Sequence, residues 1–156
     1  MNAASEPENP CDWPKRMDFV HPAAEEIAKQ DIPALFGINA GTTSSRGISM
    51  LLTMFEPGGN SNCHMHVDSE SALYVVQGSA HFFFGEHLEH DQVVNAGDFI
   101  YVPPYVPHQE INASDDEPLE CVLVRSGGEA VVVNLDIAGV ERPTTVAWVD
   151  SIHKEG

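Results

Sequence analysis

"ALYVVQGSAHFFFGEHLEHDQVVNAGDFIYVPP", residues 72–104, holds four short apolar runs, each closed by Gly, Pro or a polar turn. The runs are rich in Val, Phe and Tyr and recur at roughly ten-residue spacing, the pattern of antiparallel strands in a sandwich or small barrel. The pattern continues outward on both sides. "RGISMLLTMFEPGG" (46–59) carries apolar residues on both faces and is bounded by Gly and Pro-Gly-Gly, which fits a buried strand better than a helix. Downstream, "LECVLVRSGG" (119–128) and "EAVVVNL" (129–135) add two more strands. Long helical patterns do not alternate with them, which argues against a parallel α/β sheet. One short helix is expected, at "PAAEEIAKQ" (22–30), with Pro22 in the first turn, acids early and Lys29 late, stopped by Pro33. The tail "TTVAWVDSIHKEG" (144–156) is expected to add one edge strand and then fray. The reading is an all-β domain with an N-terminal helical lead-in: tail and short helix over 1–30, barrel over 31–145, C-terminal tail over 146–156.

Composition narrows the function. The chain has 156 residues, 42% hydrophobic and 20% charged, a globular balance. Twenty-four acids against 7 Lys+Arg give a net charge of −17. Such a chain repels phosphate backbones and anionic lipid surfaces, so nucleic-acid and membrane-surface partners are not expected. The start lacks a basic segment followed by an apolar run, and no stretch approaches the ~20 apolar residues that span a bilayer. Cys11, Cys63 and Cys121 are odd in number and far apart, so no disulfide framework is expected and the reading is cytoplasmic. Asn112-Ala113-Ser114 fits a glycosylation acceptor, which means nothing without a secretory route.

Histidines carry the chemistry. In "NCHMHVDSE" (62–70), His64 and His66 share one face of a strand, with Cα atoms ~6.6 Å apart. That spacing lets two imidazoles share a metal at ~2.0–2.1 Å, although a wet strand of an acidic protein would also carry such a pair. Cys63 points to the other face and reads as a small buried residue. In "GDFIYVPPYVPHQEIN" (97–112), three prolines stiffen the lead-in to His108, a way to fix the ring as coordination requires. Glu110 shares His108's face and reads as a solvated acid, with a supporting role near a metal as the alternative. His81 reads as a hydrogen-bonded structural residue, and His87 and His90 as solvated loop residues. His21 and His153 lie near the ends, outside any cluster.

These two segments resemble the two motifs of the cupin superfamily. Gly58, five residues, His64-x-His66, three residues, Glu70, followed by "YVVQG" (74–78), is similar to the first. Gly97, five residues, Pro103, then Val106-Pro107-His108, three residues, Asn112, is similar to the second. The resemblance implies a double-stranded β-helix (jelly-roll) barrel and a site in which His64, His66, Glu70 and His108 hold one divalent transition metal. Fe is the first choice, with Mn, Ni, Co or Zn as the others. The Glu is irregular: the four-residue spacing from His66 lands on Ser71, which cannot replace a carboxylate, and the three-residue spacing to Glu70 lengthens the interval to Gly78. Three histidines plus Glu70, or three histidines plus water, both stay open. Tyr105 stands where the second motif usually has Gly and is expected to narrow or line the pocket.

The implied function is a metal-dependent cupin of the Fe(II) oxygenase type. Its substrate would be a small aromatic or carbonyl compound, met by some of Phe82, Phe83, Phe84, Tyr101, Tyr105, Met50 and Met54. Arg46 and Arg125 are the basic residues of the strand region; oxalate-type dicarboxylate chemistry requires one of them to face inward, and the scarcity of Lys and Arg favours a neutral or weakly acidic substrate. Two alternatives accompany this reading: an isomerase or decarboxylase, and a non-catalytic binding cupin or small subunit of a larger dioxygenase. A homodimer, or a complex with a larger subunit, is the expected assembly.

Overall fold

A computed structural model describes residues 12–29, 31–127 and 131–150. Twelve strands form two six-stranded sheets among these residues. The first sheet runs β1 (Glu26–Ile27), β2 (Pro33–Ile38), β3 (Ile48–Phe55), β10 (Leu119–Ser126), β5 (Ser71–Gln77), β8 (Phe99–Val102). The second runs β11 (Val132–Asn134), β4 (His64–His66), β9 (His108–Asn112), β6 (Ser79–Phe84), β7 (His90–Asn95), β12 (Thr144–Thr145). Consecutive strands cross repeatedly between the sheets, which is the double-stranded β-helix that the cupin resemblance implies. The tail after Pro143 does add an edge strand, β12, which pairs parallel to β7; residues 151–156 lie outside the described residues.

The helical lead-in is a correction. No α-helix occurs among the described residues, and the 22–30 segment instead contributes β1, which pairs antiparallel with Ala34 and Pro33 of β2. A segment of nine residues is too short to hold a helix without tertiary support. Here tertiary packing favours the hairpin, because it buries Ala28, Ile32 and Ala34 in the core. Asp31 takes the left-handed turn position at φ 65. No helix among the described residues is long and apolar enough to cross a membrane.

Alternation of side chains sorts the central strands. On β3, Ser49, Leu51, Thr53 and Phe55 face inward; on β10, Leu119, Cys121, Leu123 and Arg125; on β5, Ser71, Leu73 and Val75. Register stacks them in rows across three strands: Thr53, Cys121, Val75, then Leu51, Leu123, Leu73, then Ser49, Arg125, Ser71. The leucine row is a fully apolar floor, each side chain contributing about 1.5–3 kcal/mol by burial. The row beyond it is polar throughout, and nothing in a packing argument requires that.

Two features fix the second sheet. Asn112 is buried at the end of β9, and its amide donates to Glu56 O at 3.0 Å and Glu117 O at 2.8 Å while accepting from Ser114 N. It ties the β3–β4 loop to the β9–β10 loop, and being buried it leaves the glycosylation match no exposed side chain to act on. Gly78 makes the β5–β6 turn at φ 86, where an added Cβ would sit 2.4 Å from Pro118 O.

Candidate metal centre

The second sheet brings three histidines together. His64 and His108 are direct partners across β4 and β9, and His66 shares His64's face two residues on. All three are buried, at 0–2% exposure. Ring centroids lie 4.3 Å (His64–His108), 5.1 Å (His64–His66) and 5.2 Å (His66–His108) apart. One nitrogen from each ring falls within 4.8 Å of the others.

Backbone carbonyls set two of the tautomers. His64 Nδ1 lies 2.7 Å from Asn62 O, and His108 Nδ1 lies 2.9 Å from Val106 O. Each Nδ1–H therefore donates outward and leaves the Nε2 lone pair facing the cluster, the usual arrangement behind a metal-binding imidazole. The prolines before His108 hold the carbonyl that orients it. Burial pushes the imidazole pKa values down to about 3 for His64, about 2 for His66 and about 4 for His108; Arg125 adds to the drop at all three, and neighbouring histidines add to it at His64 and His66. All three rings are neutral at pH 7, the form that coordinates. His64 Nε2 and His66 Nδ1 are buried without a hydrogen-bond partner. A divalent transition metal fits this donor set, satisfying lone pairs that no protein group meets.

Glu70, the expected fourth ligand, is not brought to the cluster. It is exposed, accepts from Tyr101 Oη at 2.7 Å, and its backbone N–H is held by Ser126 Oγ. β5 begins one residue later, and its alternation turns Ser71 inward and Glu70 outward. The barrel thus uses the four-residue spacing from His66, and a serine stands where that spacing leads.

The buried carboxylate is Glu110, an acid that its residue type alone places in solvent. Inward alternation on β9 takes His108, Glu110 and Asn112 together. Glu110 Oε1 lies 3.9 Å from His108 Nε2. Burial raises its pKa to about 7, with the positive charge of Arg125 pulling the other way. The signal was present in the period-two spacing from His108; the acid's identity argued against it. Arg125 is the second missed residue. It lies on β10 across the barrel, 3% exposed, with Nε and Nη2 unpartnered. Arg46 does not face in; it stacks over the Trp13 ring and donates to Asp12 O.

A cavity of about 440 Å³ opens between edge strand β8 and strands β6 and β7. Phe82, Phe84, Ile100, Tyr101 and Trp148 line it, residues 146–149 lie along it, and His108 forms part of its wall. Of the expected aromatic and thioether lining, Phe82, Phe84 and Tyr101 are there. Phe83 faces outward, as does its neighbour in a ring contact, His81, which bonds Asp91 as a structural histidine should. Met50 and Met54 alternate to the outer face of β3. Tyr105 does not narrow the pocket. It is 51% exposed, its hydroxyl donates to Asp68, and its backbone takes φ 64. That positive φ is the conformation glycine adopts most easily, which explains why this position favours glycine in the motif.

Comparison with known proteins places residues 51–125 within the family model described as cupin domain. Among solved structures, the chain resembles an uncharacterized conserved protein with a double-stranded β-helix domain from Klebsiella pneumoniae. Identity there is 19%, over 76% of this chain and 91% of that chain, with TM-score 0.58. It also resembles an oxalate decarboxylase from Lactobacillus farciminis at 24% identity, covering 72% of this chain and 33% of that one, TM-score 0.62. The Bacillus subtilis oxalate decarboxylase, described with Mn(II) centres, matches at 24% identity over 72% and 30%, TM-score 0.62. The chain thus spans about a third of the oxalate decarboxylase chains, and at these identities the likeness shows the fold. No curated protein matches significantly.

Proposed function

This chain belongs to the cupin superfamily through its residues 51–125, and on that premise we propose that it is a metal-dependent enzyme of the oxygenase type acting on a small organic substrate. The observation that carries the reading is His108, whose ring belongs both to the three-histidine cluster and to the wall of the apolar cavity. His64, His66 and His108 would hold the ion, with Fe(II) first and Mn(II), Co(II), Ni(II) or Zn(II) as the other ions the set accepts. When bound, such an ion would supply Lewis acidity and, for a redox-active metal, reactivity toward O₂.

The chain's own residues supply the rest. Phe82, Phe84 and Trp148 give a flat or apolar substrate a dry surface beside His108. Glu110, buried next to His108, holds a proton near neutral pH and can exchange it with a substrate atom on that side. That acid favours a second reading, decarboxylation or isomerisation, both of which need a positioned proton. The test is gas exchange by protein reconstituted with Fe(II) or Mn(II), offered phenols, small carbonyl compounds and small carboxylic acids. O₂ uptake that His108→Ala abolishes supports the oxygenase; CO₂ release without O₂ uptake transfers the assignment to decarboxylation. Equal rates in wild type and variant refute both.

For assembly, a second copy is the proposed partner. The outer face of the first sheet carries Met50, Val124, Ala72 and Tyr101 in one row and Leu52, Val122, Tyr74 and Phe99 in the next. An antiparallel sheet apolar on both faces is one that another surface covers. Sedimentation of a dimer that Phe99→Glu dissociates supports this; a monomeric wild type, or one held by a larger chain, removes it.

A further inference from the structure

Opposite the histidines, three adjacent strands place Ser49, Arg125 and Ser71 side by side, facing inward. Their exposures are 5%, 3% and 2%. Ser49 Oγ, Ser71 Oγ, Arg125 Nε and Arg125 Nη2 are all buried without a hydrogen-bond partner. A guanidinium taken out of water and left unpaired costs several kcal/mol, and each unmet hydroxyl adds to that. The leucine row beneath offers no acceptor. Glu110 is near enough to feel Arg125's charge but forms no ion pair with it among the described residues. The protein thus buries, at substantial cost, four donor atoms for which its own described residues supply no acceptor.

We propose that Arg125, flanked by Ser49 and Ser71, is a substrate-anchoring residue that takes the carboxylate of a small organic acid reaching toward the three-histidine centre. Nε–H and Nη2–H lie along one edge of the guanidinium, and that edge matches the two oxygens of a carboxylate. The serine hydroxyls stand on either side to meet the remaining lone pairs. Arg125 acts electrostatically on all three histidines and on Glu110, so an anion held here faces the centre and not the outer surface. One inward-facing arginine compensates one negative charge, which gives an acid substrate a place in a chain of net charge −17. The aromatic cavity beside His108 fits an apolar body on that acid. This deepens the proposed enzymatic reading and rests on it for the word substrate, though the anchoring itself does not need the metal.

The test is calorimetric titration of benzoate against benzyl alcohol, with inorganic phosphate as a further arm, into metal-free and Mn(II)-loaded protein. Metal content is measured in parallel. Wild type should bind benzoate at least tenfold more tightly than the alcohol. Arg125→Met should lose roughly 30-fold or more in benzoate affinity with alcohol binding unchanged, and Arg125→Lys should recover only part because it lacks the fork. Ser71→Ala should weaken benzoate several-fold. Each variant should keep wild-type metal content. Equal binding of acid and alcohol by wild type, or wild-type benzoate affinity in Arg125→Met, overturns the proposal. So does tighter binding of phosphate than of benzoate. If the protein takes up no metal, the enzymatic reading fails, while the Arg125-dependent difference in metal-free protein still decides this one.

Discussion

Replacing Arg125 by Met should make the ligand-free protein more stable, not less. Burial lowers the guanidinium pKa well below its ordinary value, to about 10, with Glu110 partly opposing the drop. At 1.36 kcal/mol per unit, that is about 3 kcal/mol by which the charged group disfavours the folded state. The sign follows from linkage. A base whose folded pKa lies below its unfolded one costs its full amount at every pH below the folded value, so the whole penalty is present at pH 7. It is relieved only as pH rises above about 10. Met keeps most of the stem's volume and carries no charge, so packing is largely kept. The expected gain is about 2–3 kcal/mol, which in a chain of this size raises Tm by roughly 4–12 °C. Urea unfolding of metal-free wild type and variant at pH 7 reads it directly, as a higher midpoint with unchanged slope. A variant less stable than wild type by 1 kcal/mol or more, with the same slope, would show that Arg125 is satisfied in the folded state. The argument for an anion site would fall with it.

Metal-free protein should lose stability on acidification. The three histidines have folded pKa values of about 2–4 against 6.5 unfolded, so below pH 6.5 the unfolded chain binds more protons. Glu110, raised to about 7, opposes them by about one proton between pH 4.5 and 7. The net is roughly two protons, or about 2.5 kcal/mol per pH unit between pH 6 and 5; a flat profile from thermal or urea melts contradicts neutral buried rings. Glu70→Gln should leave metal affinity within about twofold, since its carboxylate bonds Tyr101 outside the cluster; a loss of 10-fold or more in a metal titration returns Glu70 to the site. Gly78→Ala should destabilise by about 2–4 kcal/mol, from a Cβ 2.4 Å from Pro118 O at φ 86, and a change under 0.5 kcal/mol in urea melts refutes that contact. Cys121, buried with its thiol pushed up to about 12, should resist a thiol reagent until the protein unfolds.

How far the site could be read beforehand depended on the kind of signal. Strand period and turn residues located most of the barrel, and His64, His66 and His108 converged as their spacing and the proline lead-in suggested. Local propensity misled at 22–30, where Pro, acids and Lys29 spell a helix that tertiary burial of Ala28 and Ile32 overrides. Glu70 failed because a one-residue offset in where β5 begins reverses a side chain from inside to outside. Glu110 and Arg125 failed for the opposite reason. Their positions were right by alternation, but charged residues are rarely buried, and only the assembled interior shows that both are. Tyr105 broke a motif's glycine and kept its backbone angle, which a sequence motif does not display.

Elemental analysis of protein purified anaerobically, beside the His64→Ala/His66→Ala double variant, tests the central claim most directly. The account predicts close to one divalent transition metal per wild-type chain and none in the variant, with the variant still folded. Wild type that stays metal-free after reconstitution with Fe(II), Mn(II), Co(II), Ni(II) and Zn(II), or a variant that keeps its metal, contradicts it.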